Sequence, residues 1–159
     1  MKPSTLLMLL ALTATGPVAA ATAGKSSPGP GAASALPKVV VYKDPSCGCC
    51  GNWVEHMRKH GFAVEVHDSA DMTAVKRSLG VPAGKASCHT ARVGGLVVEG
   101  HVPATDVIRL LAKPDGAVGL TAPGMPLGSP GMEMPDGRSQ PYVVERIDRD
   151  GSTSPFARH

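Results

Sequence analysis

The chain reads as a small α/β domain with a mixed sheet of order β-α-β-α-β-β-α, followed by a Gly/Pro-rich C-terminal extension. Three observations predict it. Short β-branched runs alternate with segments of helical apolar spacing. Gly94-Gly95 stands between two apolar runs, which signals a hairpin. Gly (19) and Pro (15) in 159 residues are enough for long loops, yet below the roughly 25–30% of a wholly disordered chain.

Residues 1–23 have the pattern of a secretory signal peptide. Lys2 supplies the positive start, Leu6–Leu12 the apolar stretch, and Ala20 and Ala23 the small residues of a cleavage point. The chain is therefore expected to be exported, with the periplasm as its location. Residues 24–36 are a Gly/Pro/Ser/Ala linker that cannot bury a core.

Residues 37–113 carry the domain. Lys38–Lys43 is a β-branched apolar run, a buried strand, and Asp44-Pro45-Ser46 stops it and offers a helix cap. A helix over 49–59 follows, with Trp53, Val54 and Met57 on one face and Gly61 as its stop. Phe62–His67 alternates as a second strand. Asp68 or Ser69 can cap a short helix whose Met72, Val75 and Leu79 face inward. His89–Val93 and Leu96–Gly100 are the hairpin strands, the first lying beside 38–43. Pro103 starts a last helix with Ala104, Val107, Ile108 and Leu111 as its stripe. Residues 114–147 are an extension packed on the domain: a Gly/Pro-rich loop to Pro135, then a late strand at 141–147, at a sheet edge. Residues 148–159 read as a frayed tail.

No apolar run reaches the roughly 18–20 residues of a membrane span, so the mature chain is not expected to insert into a membrane. Aromatics are 3% and the net charge of +3 comes from scattered residues. Nucleic acid is therefore excluded as a partner, since its binding needs stacking platforms or a basic patch.

Chemistry concentrates in cysteine. Cys47, Cys49 and Cys50 fall within four residues, and Cys88 precedes the hairpin. Neighbours such as Cys49 and Cys50 do not close an unstrained bridge, and a stapling framework spreads its cysteines apart. Clustered thiols at a helix start point instead to metal or redox chemistry, because the helix N-terminus stabilises thiolate. The Cys47/Cys50 pair has C-x-x-C spacing and is the redox candidate. As a metal set, Cys47, Cys49, Cys50 and Cys88 are soft ligands for copper(I) or zinc. Zinc fits less well, since Cys88-His89 is not a second spaced knuckle. His89, His101, Met125 and Met132 are secondary metal candidates. Met57 and Met72 fit the core, His56 and His60 a solvated helix face, and His67 and His159 carry no signal. A structural domain with two disulfides stays open beside the metal and redox readings.

The strings KDPSCGCCGNWVEHMRKHGF, GVPAGKASCHTARVGGLVVEGHVPA and GLTAPGMPLGSPGME resemble the CopG-like family of bacterial periplasmic copper-resistance proteins, formerly catalogued as a domain of unknown function. The resemblance spans about residues 37–147. It implies a thioredoxin-like fold, copper tolerance, and a thiol-bridged, multinuclear copper(I) site on Cys47, Cys49, Cys50 and Cys88, with His101 and Met132 carried over less firmly. Periplasmic copper efflux or chaperone proteins are the protein partners to expect. The chain lacks the Trp-Cys-Gly-Pro-Cys motif of ordinary thioredoxins, which counts against general dithiol reductase activity. A thiol or copper oxidoreductase is the enzymatic alternative.

Overall fold

The computed structural model describes residues 35–159. The signal-peptide reading and nearly all of the linker lie outside the described residues. Elements follow in the order β1 (Val39–Lys43), α1 (Gly48–Lys59), β2 (Val64–Asp68), α2 (Met72–Ser78), β3 (Thr90–Val93), β4 (Leu96–Gly100), α3 (Ala104–Ala112), β5 (Gly119–Ala122), β6 (Val143–Ile147) and β7 (Thr153–Arg158). The seven strands form one mixed sheet in the order β2-β1-β3-β4-β5-β6-β7. The α/β class is as expected, and the sheet is larger than expected.

Topology follows from the connections. Helices α1 and α3 are crossovers, so β1/β2 and β4/β5 pair in parallel. The β3–β4 link is the expected hairpin: Gly94 and Gly95 both take positive φ, 54° and 87°. β3 also lies beside β1, as the sequence predicts, and the pairing is antiparallel.

Strand alternation gives the sheet two different faces. Val39, Val41, Ala91, Val93, Val98 and Leu120 enter one apolar core with Trp53, Val54 and Met57 of α1 and Val107 and Leu110 of α3. Trp53 is fully buried, and its Nε1 donates to the Val102 carbonyl at 2.9 Å. The partner row Tyr42, Thr90, Glu99, Thr121 and Glu145 takes the opposite face. Thr90, Glu99 and Thr121 are nevertheless buried.

Several expectations are corrected. No side chain caps α1: its N-cap is Cys47. Cys47 N–H closes a turn on the Asp44 carbonyl, and the Asp44 carboxylate accepts from Ser46 N–H instead. Asp71, rather than Asp68 or Ser69, caps α2, because β2 runs to Asp68 and Ser69 N–H bonds the Lys43 carbonyl. No residue of α2 is fully buried; Met72, Val75 and Leu79 are half-buried. In α3, Leu110 and Asp106 are buried while Ile108 and Leu111 are half-buried. Asp106 reaches His159 Nε2 at 2.8 Å and Arg109 at 3.1 Å, which turns that face inward.

The loop expected up to Pro135 contains a fully buried strand, β5. Its Gly119 runs so close to β4 that a Cβ there would stand 2.2 Å from the Val97 carbonyl oxygen. The same glycine that reads as loop is what admits the strand. The tail expected to fray turns at 148–152 and returns as β7. β6 is therefore internal, and β7 is the edge strand. An edge tolerates Pro155, and the register shifts at the facing Val144/Glu145. No helix among the described residues is long and apolar enough to cross a membrane.

Candidate metal centre

Four strand ends share one end of the sheet. β1 and β3 are antiparallel with Tyr42 opposite Thr90, β3 and β4 are antiparallel with Thr90 opposite Glu99, and β5 runs parallel to β4. The start of α1, Cys88 before β3, His101 after β4 and the loop after β5 therefore converge there.

Cys47 and Cys50 are joined by a disulfide, and Cys49 and Cys88 are free thiols. The structure brings together the four cysteines that the sequence groups: one ligand atom from each lies within 4.8 Å of all the others, although two of the four are joined as a disulfide. Cys49 Sγ is 3.5 Å from Cys47 Sγ and 4.0 Å from Cys88 Sγ. Cys50 is fully buried, and the other three are half-buried. The uncapped first turn of α1 leaves its N–H groups and partial positive charge beside these sulfurs.

Cys88 belongs to a second group with His89 and His101, again with ligand atoms within 4.8 Å. His101 Nδ1 donates to the Pro130 carbonyl at 2.8 Å. A carbonyl only accepts, so Nδ1 carries the proton and Nε2 presents a lone pair. That lone pair lies 2.9 Å from Cys88 Sγ and accepts from its thiol. Burial holds the His101 pKa below the ordinary value, against the raising effect of the Pro130 bond. His89 is fully buried against Trp53, ring centroids 4.5 Å apart, and meets the His101 ring edge-on at 5.0 Å. Its Nδ1 is 3.5 Å from Cys88 Sγ. Burial, then the charge of His101, holds His89 well below the ordinary imidazole value. Both imidazoles are thus neutral, the form that ligates metal.

His89 Nε2 is buried without a hydrogen-bond partner. Such an orphan costs about 1–3 kcal/mol, which natural folds accept at functional sites. Burial and the adjacent Cys49 push the Cys88 thiol up to about 11. Without metal it is a neutral thiol; a bound cation would replace its proton and supply the charge compensation that the pocket lacks. Soft sulfur beside neutral imidazole is a fitting donor set for copper.

The loop after β5 closes over the helix start. Gly131 has φ +87°, and a Cβ there would stand 2.7 Å from both the Cys49 carbonyl oxygen and Trp53 N. Met132 is half-buried in this loop, while Met125 is exposed. His56 and His60 do not form a metal pair. His56 Nε2 accepts from Ala104 N–H at 3.0 Å, so it caps α3, and His60 Nδ1 bonds the His56 carbonyl. Pro130 and Gly131 act through backbone carbonyl and close approach, and no side-chain motif announces either role.

A family described as a protein of unknown function, DUF411, matches residues 85–132. No curated protein matches the chain. Two solved structures of the copper resistance protein CopG, Form 1 and Form 2, superpose with TM-scores of 0.73 and 0.74. They are 47% and 46% identical to this chain, covering 77% and 78% of it and 98% of their own lengths. Identity of that order across nearly the whole of both relatives makes this chain a member of the CopG-like copper-resistance family.

Proposed function

We propose that this is an exported, periplasmic protein that takes up copper(I) on the thiolates of Cys47, Cys49, Cys50 and Cys88 and so serves copper tolerance. One observation carries the reading: Cys88, 39 residues beyond Cys49, brings its sulfur to 4.0 Å from it. Four sulfurs at this spacing suit thiolates shared between several ions, which also relieves the strain of holding one ion with adjacent cysteines. His101 and His89 are the neutral nitrogen donors beside Cys88, and Met125 and Met132 the loop thioethers. Soft ligation would hold copper in its reduced state. Copper efflux or chaperone proteins of the same compartment are the proposed partners.

The Cys47–Cys50 disulfide makes uptake conditional. Two electrons and two protons convert it to two thiols, so four-sulfur binding belongs to the reduced chain. The test is anaerobic copper(I) loading of the reduced protein, with copper and free thiols counted. One copper or more per chain is expected. Replacing all four cysteines by Ser should abolish loading. Far less than one copper, or loading indifferent to those changes, overturns the reading.

The same disulfide favours a second reading, a thiol–disulfide oxidoreductase working through Cys47 and Cys50. Insulin reduction that needs only those two and ignores copper would support it over the first.

A further inference from the structure

Glu99 stands on the sheet face away from the apolar core, yet it is fully buried. Its Oε1 accepts from Lys76 Nζ and from Ser87 N–H, each at 2.6 Å, and its Oε2 accepts from Thr90 Oγ1 at 2.6 Å. Lys76 Nζ also donates to Thr90 Oγ1 at 3.0 Å. A buried carboxylate is costly unless charge and hydrogen bonds compensate it, and here both do. These contacts also account for α2, which fully buries none of its residues but contributes the Lys76 ammonium.

The Ser87 bond matters because Cys88 is the next residue. The segment before it is tied to the sheet at further points. Thr121 Oγ1 donates to the Lys85 carbonyl at 2.8 Å, Lys85 Nζ pairs with Glu145 at 2.6 Å, and Gly124 N–H bonds the Ala86 carbonyl at 3.1 Å. Glu99 holds the N–H of Ser87, the residue just before Cys88. We infer that Glu99, neutralised by Lys76, is the positioning residue that sets Cys88 Sγ against Cys49 and His101. Its consequence for copper rests on the proposed function; the positioning itself does not.

Two double variants separate position from charge. Glu99→Leu with Lys76→Met replaces the ion pair by apolar groups and removes the Ser87 acceptor. Glu99→Gln with Lys76→Met also removes both charges but keeps an amide oxygen for Ser87 N–H. In the copper-free chain, diamide takes two electrons and two protons from Cys49 and Cys88 and joins them as a disulfide. Peptide mapping follows the rate of that bond, and near-ultraviolet circular dichroism confirms the fold. The Leu/Met chain should cross-link about tenfold more slowly than the natural chain, and the Gln/Met chain within about twofold of it. Equal rates in all three chains, or equal loss in both variants, would overturn the inference. If the variants do not fold, amide exchange of Ser87 in the natural chain decides. A protected N–H supports the clamp, and free exchange overturns it. Slowed cross-linking with unchanged copper loading would leave the positioning intact and show that loading does not depend on where Cys88 is held.

Discussion

At Gly131 the loop after β5 meets the backbone of α1 without an intervening side chain. Positive φ and the 2.7 Å approach to Cys49 O and Trp53 N act together there, so alanine is penalised twice. Gly131→Ala should cost about 1–3 kcal/mol, read by urea unfolding. Copper loading should fall with it, since the displaced loop carries the Pro130 carbonyl that sets the His101 tautomer. Cys88 and His101 show how differently two site residues announce themselves. The thiol is legible from its type and its neighbours in the sequence. The imidazole depends on a carbonyl 29 residues away, and no motif encodes that.

At the scale of an element, α1 begins where a stabilising cap is expected and a cysteine stands instead. Sulfur is a poor acceptor for the free N–H groups, so this helix start gives up stability in favour of chemistry. In reductant, where no disulfide enters the comparison, Cys47→Asp should stabilise the chain by about 0.5–2 kcal/mol. It should lower copper loading at the same time. Denaturation with dithiothreitol present, beside copper titration, checks both halves. The helix itself, its apolar face at Trp53, Val54 and Met57, and its stop at Gly61 are legible from spacing. β5 and β7 are not. Each looks like loop or tail because Gly and Pro dominate local reading, while tertiary pairing with β4 and β6 decides their state.

For the whole molecule, the site end of the sheet is a place where imidazoles are kept neutral. Burial lowers the pKa values of His56, His89 and His101 from 6.5. The unfolded chain therefore binds protons first as pH falls, and stability rises with pH across that window. The metal-free protein should lose thermal stability as pH drops from about 6.5 towards 5, above the range where carboxylates titrate. Melting temperatures at successive pH values measure this, and a flat profile would contradict it. His89→Gln should weaken the pH dependence.

The sequence by itself determined the chemistry and the class of the fold. Three thiols within four residues, strand and helix periods, and the Gly94-Gly95 turn are local properties that each segment carries alone. Tertiary structure decided which groups meet. The antiparallel register of β1 and β3 carries Cys88 to Cys49, and β4 returns His101 to the same end of the sheet. The polar anchor at Glu99 becomes a residue of consequence only once strand alternation buries it beneath Lys76 and Ser87. Periodicity reports the preference of a segment; burial and long-range pairing are properties of its neighbours, and those exist only in the folded chain.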